Sequence, residues 1–222
     1  MRASWAITLL LAALVLAGTA AARDPRDPQQ RHTAADTTLA STLALHLKDL
    51  AAGWKPAKPT PDPPPCKTEP DESTLVETAR IDPTFIWKDG LTTIGTEVDI
   101  FRTAAMAKTD WALSTLALFR RCVLQSARDQ LPGYTVALVS AKQLPPPSAT
   151  AERSLHYRLV FDITHAGTTV PIVSDVTALG KGRETVVMHS FSERVALPSS
   201  AVTQLVRLLA NRLEAGSTKG TA

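Results

Sequence analysis

Five polar residues offer this chain its widest choice of chemistry. His156, Arg158 and Asp162 recur at even positions of a strictly alternating stretch, 154–165, so a strand there carries all three on one face. Asp175 and His189 fall on the next two stretches that also read as strands. Brought together, two imidazoles, two carboxylates and a guanidinium can bind an anion or a metal, or act as acid and base. The competing reading is that alternate polar residues form the solvated face of a sheet. On that reading His156, Arg158 and Asp162 point outward and tolerate alanine.

No familiar reaction signature supports the first reading. The chain holds no GxSxG, SxxK, HExxH, EF-hand loop or P-loop, and no cysteine in a catalytic context. Gly180-Lys181-Gly182-Arg183 resembles a phosphate cradle, but a strand pattern follows it where a phosphate loop needs a helix, so it reads as a hairpin turn. The chain therefore reads as non-enzymatic, with no cofactor and no metal, and a hydrolase with an unfamiliar site is the lesser alternative.

Cys66 and Cys122 are the only cysteines. Their meaning depends on compartment, which the N-terminus indicates. Arg2 is followed by an apolar run from Trp5 to Ala17 and by Ala20-Ala21-Ala22. This is the layout of a secretory signal peptide over residues 1–22. A run of about 13 residues is short for a bilayer span, although an uncleaved anchor is the competing reading. Export leads to an oxidising compartment, where two cysteines form one disulfide. The expected localisation is secreted, within the cell envelope, with no transmembrane span once the leader is cleaved.

With 44% hydrophobic residues the chain can build a core. Its 24 basic and 21 acidic residues leave a net charge of +3 with no basic block, which argues against nucleic-acid binding.

Several elements must position these residues. Residues 23–35 are polar and proline-broken, so they read as a flexible N-terminus. A helix is expected over 36–54, capped by Asp36 or Thr37, with Leu39, Leu43, Leu47 and Leu50 inward and Gly53 at its end. Six prolines between Pro56 and Pro65 make 55–65 a stiff linker. A domain over 66–215 follows, then a frayed tail at 216–222. Strands are expected near 73–80, 92–101, 134–141, 154–165, 169–178 and 184–191. Pro171 argues for an edge or a bulge in the fifth of these. One long helix is expected from Thr103 to Leu131, with Trp111, Leu118 and Cys122 lined along its flank, and a last helix buries Val202, Leu205, Leu209 and Leu213. Sequential hairpins with amphipathic helices give an α+β fold: an antiparallel sheet covered by a long central helix and a C-terminal helix.

The run LKDLAAGW (Leu47–Trp54), the cysteine after it, the VDIFRTAAMA step and the second cysteine late in the following helix resemble exported proteins of high-GC Gram-positive bacteria. The similar groups are the PknH-like extracellular sensor domains and the PsbP-like secreted proteins of the LpqN type. The resemblance spans Leu39 to Leu213. It implies an α+β sandwich used for binding, without a known catalytic centre. PknH-like domains carry more than one disulfide and this chain has one cysteine pair, so a stand-alone secreted module is the form implied. The function expected is a binding or sensor-like module for a small amphiphile or cell-envelope component. The alternative is an envelope interaction or structural protein that offers its polar sheet face to a partner protein.

Overall fold

The computed structural model describes residues 24–57, 66–68, 70–146, 151–194 and 196–217. The leader, most of the proline run and residues 218–222 lie outside the described residues. The strands are β1 (Gln29–Gln30), β2 (Trp54–Pro56), β3 (Val76–Ile81), β4 (Thr84–Trp87), β5 (Thr92–Phe101), β6 (Thr135–Leu144), β7 (Arg153–His165), β8 (Thr168–Lys181) and β9 (Glu184–Glu193). The helices are α1 (Ala34–Leu43), α2 (Ala104–Leu113), α3 (Leu116–Gln130) and α4 (Ser199–Ser217), with a 3-10 turn at Leu47–Asp49.

All nine strands join one sheet, antiparallel except where β1 meets β3, in the order β1-β3-β5-β9-β8-β7-β6. The antiparallel pairing follows from the short turns: Ala166-Gly167 and Gly182 link the long strands β7, β8 and β9 into a meander. β3 and β4 are two halves of one strand broken at Asp82-Pro83. Ile81 pairs with Val98 and Thr84 with Gly95, both on the same edge of β5. Proline has no N–H for the ladder, so the chain kinks outward there. β2 lies beyond β4.

Period-2 alternation sends the two faces of the sheet to two cores. On one face Ile94, Val98, Ile100, Leu179, Val186 and Met188 meet Leu43 of α1 and Val206, Leu209 and Leu213 of α4. On the other, Leu155, Tyr157, Leu159, Phe161 and Ile172 meet Ala127, Phe119 and Val123 of α3. The fold is α+β, with helices on both faces of a mostly antiparallel sheet.

Several expectations need correction. The long helix is two helices. Thr115 takes an extended backbone and its hydroxyl accepts from the Leu118 N–H at 3.2 Å, which starts a new helix. Consecutive Ser114 and Thr115 compete with the helix for backbone hydrogen bonds and favour such a cap. The break redirects the chain, so α2 lies over β5 and β9 while α3 lies beside β6. Trp111 and Cys122 therefore do not share a line. Trp111 packs at the margin of the α3 core, with the Arg153 guanidinium 5.6 Å over its ring.

At the N-terminus, the stretch read as flexible contains β1, bonded from Gln29 N–H to the Leu75 carbonyl at 2.8 Å. α1 begins after Thr33, whose side chain accepts from the Asp36 N–H, and it ends at Leu43. Asp36 is not a cap: it is buried and ion-paired with Arg183. Leu47 is consequently 43% exposed and off the expected buried line. β8, finally, is an interior strand despite Pro171. The Pro171 carbonyl accepts from the Arg194 N–H at 2.8 Å, one residue beyond the end of β9. Its ring nitrogen faces that same side, at the margin where the ladder stops.

Cys66 and Cys122 are bonded, with Cα atoms 5.2 Å apart. The bond ties residues 66–68 to α3, and the Lys67 N–H reinforces it by donating to Gln125 Oε1 at 3.1 Å.

Candidate functional site

Three of the five polar candidates come together. Antiparallel register sets Arg158 opposite Asp175 and His156 opposite Thr177, on one face of β7 and β8. Arg158 grips Asp175 with two nitrogens, Nε at 2.7 Å and Nη2 at 2.9 Å. His156 Nε2 lies 3.4 Å from Asp175 Oδ1, close enough for an ion pair but without hydrogen-bond alignment. Its Nδ1 lies 3.4 Å from the Pro145 carbonyl. Burial opposes charge on Asp175, but the adjacent His156 ring and the two bonds from Arg158 outweigh it and hold the carboxyl below its ordinary range.

This geometry suits structure better than catalysis. Both His156 nitrogens face buried protein oxygens, Asp175 Oδ1 and the Pro145 carbonyl, so neither edge of the ring is open to a substrate. His156 is also buried, at 7% exposure, where an outward residue was expected, and its neighbour Asp175 is 4% exposed.

The other two candidates stand apart. Asp162 shares the His156 face but is opposite Pro171, two pairs beyond Val160 and Val173 toward the hairpin. His189 is on the opposite face of the sheet, because its partner in β8 is Val176. It lies over Gly95, where a Cβ would come within 2.6 Å of Nε2. Burial keeps its imidazole below its ordinary pKa, opposed by the Glu97 charge.

A second location emerges only from the tertiary structure. A cleft of about 600 Å³ opens where the end of α1 and the 3-10 turn pass the β3–β4 kink. Leu45, Leu47, Ile81, Pro83 and Phe85 supply apolar walls, with His46, Arg80 and Asp82 among the polar groups. Arg212 fixes the rim by bonding the Ala44 carbonyl at 2.6 Å and Asp49 at 2.8 Å. Asp49 in turn accepts from the His46 N–H, at 2.8 Å. The sequence signals were the Asp82-Pro83 break and the Leu47 that fails to continue the helix; neither by itself predicts a cleft.

No helix among the described residues is long and apolar enough to cross a membrane, and the disulfide is consistent with an extracytoplasmic location. No protein-family profile matches the chain, and no curated protein matches it by sequence.

Proposed function

We propose that the protein is an extracytoplasmic, non-enzymatic binding module that takes a small amphiphile into the cleft between α1 and the β3–β4 kink. The observation that carries this reading is the lining: five apolar side chains in one cleft of about 600 Å³, with ionisable groups beside them. Small-molecule sites combine such an apolar wall with a few polar groups that orient the ligand. An acyl or similar chain would lie on Leu45, Leu47, Ile81 and Phe85, with its head toward His46 and Asp82.

The polar-face alternative has less to offer a partner, since His156 and Asp175 are buried against each other.

Binding is testable with the full mature protein. Oleate and lysophosphatidylcholine, titrated separately, should give saturable changes in tryptophan emission, because Trp54 and Trp87 meet edge to face, ring centres 5.3 Å apart, at the end of the strand that carries Phe85. Leu47→Asp alters a side chain already 43% exposed and should weaken binding roughly tenfold or more, about 1.4 kcal/mol, without loss of stability. Absence of saturable binding by either probe, together with no lipid in native mass spectra of the isolated protein, would remove the proposal.

A further inference from the structure

Beneath α2 lies a layer of charge that neither the cleft nor the His156 group explains. On β3 and β5, Arg80 Nη2 is 2.9 Å from Glu97 Oε1 and Arg80 Nε is 3.9 Å from Asp99 Oδ1, so one guanidinium serves two carboxylates. Glu77 of β3, 2% exposed, is engaged by His32 at 3.1 Å. From α2, Asp110 faces this layer. The charges around it are Glu97, Glu77, Arg80 and, from β7, Arg153; no ion pair reaches its carboxylate among the described residues. β9 contributes His189, near Glu97, and Thr185, directly across from Asp99.

Buried atoms in this layer go without hydrogen bonds, and two of them face each other across the β5–β9 pair. Asp99 is 8% exposed and Thr185 4%, yet Asp99 Oδ1 and Thr185 Oγ1 make no hydrogen bond. An ionised Asp99 can only accept, whereas a protonated one gains an O–H to donate across the strand pair. Negative charge exceeds positive here, and protons are the simplest remedy.

The helix above is lightly held. Ala107 is its only fully buried residue, packed on Leu75 and Phe101 in a small satellite cluster. It ends at the Ser114–Thr115 joint, beyond which α3 is secured by the Cys66–Cys122 bond.

We propose that α2 is a proton-operated latch: it docks on β5 and β9 while Asp99 and Asp110 hold protons beside the Arg80–Glu97 pair, and lifts about the Ser114–Thr115 joint when the two aspartates ionise. Lifting uncovers Leu75 and Phe101. Burial, and next the Glu97 charge, push Asp110 up to about 6, and the same two causes raise Asp99 well above the ordinary carboxylate range. A carboxyl that titrates higher when docked than when released favours docking at low pH. Its contribution is whole below the released value, about 4, and is lost as pH rises through the docked value. For Asp110 that window runs from about pH 4 to about 6, and for Asp99 it extends higher.

The test is amide hydrogen exchange on the disulfide-bonded protein, with rates corrected for intrinsic exchange at each pH. Protection across 104–113 should fall roughly hundredfold between about pH 4 and about pH 7.5, the factor set by the displacement of the Asp110 titration. Protection in α4 should hold. Asp110→Asn should make the fall clearly smaller, by the Asp110 share, and leave α2 better protected than wild type at the higher pH, while Asp129→Asn on the exposed side of α3 should behave as wild type. A flat wild-type profile, or the same fall in Asp110→Asn, overturns the latch. The wild-type profile alone decides the matter if a variant fails to fold.

Discussion

His156 shows how a residue pattern can be right about a face and wrong about its environment. Alternation correctly groups His156, Arg158 and Asp162, and it puts Asp175 within reach. It cannot reveal that the Pro145 carbonyl and Asp175 bracket the imidazole, because those contacts come from an adjacent strand end and a cross-strand neighbour. The consequence is a split among three residues that look alike in sequence. His156→Ala should lower stability by about 1–3 kcal/mol, since it removes a buried polar partner of Asp175. Asp162→Ala should change it by no more than about 0.5 kcal/mol, as at ordinary surface positions. Urea unfolding of the two variants distinguishes them, and equal small losses would mean that His156 is not held as described. His189 was legible as polar but not as belonging to the opposite face, since its side depends on the register of β9 with β8.

At the scale of elements, strands were easier to read than helix limits. Long alternating runs with glycine turns leave little freedom, and β5 ends at Phe101 as expected. The central helix misled because its apolar spacing continues smoothly across Ser114-Thr115, while the cap that divides it depends on one hydroxyl. The short edge strands β1 and β2 carry almost no periodic signal in two and three residues and exist by pairing with β3 and β4. The disulfide was legible from cysteine count and export alone. Replacing both Cys66 and Cys122 by serine should lower stability by roughly 2–5 kcal/mol and loosen α3. Trp111 emission should change little, because that ring sits on α2 beneath Arg153. Thiol titration of the native protein should find no reactive thiol; finding two per chain would refute the bridge.

For the whole molecule, the layer arrangement was legible and the strand order was not. Amphipathic helices and an alternating meander demand a sheet with covered faces, whatever the sequence of strands. The cleft was illegible for the same reason as the order. It is bounded by residues 41–47 and 80–85, which share no pattern and meet only because α1 packs across β3 and β5. The same holds for the carboxylates under α2: Glu97 and Asp99 alternate visibly on β5, but Arg80 and Asp110 join them from separate elements.

The strand order has a kinetic consequence. β5 is the last strand of the N-terminal half, yet its neighbour is β9, the last strand among the described residues; Thr92 pairs with Ser192 and Ile100 with Glu184. The meander β6–β9 can form from local contacts, whereas the β5–β9 seam must close a loop of nearly half the chain. Two partly built half-sheets should therefore exist before the seam zips, and the seam should be weakly formed in the folding transition state. Val186→Ala, in the seam opposite Val98 and buried in the α1–α4 core, should speed unfolding several-fold and leave the folding rate nearly unchanged. Stopped-flow measurement of both limbs tests the order of events, and a loss concentrated in the folding limb would instead make the seam the nucleus.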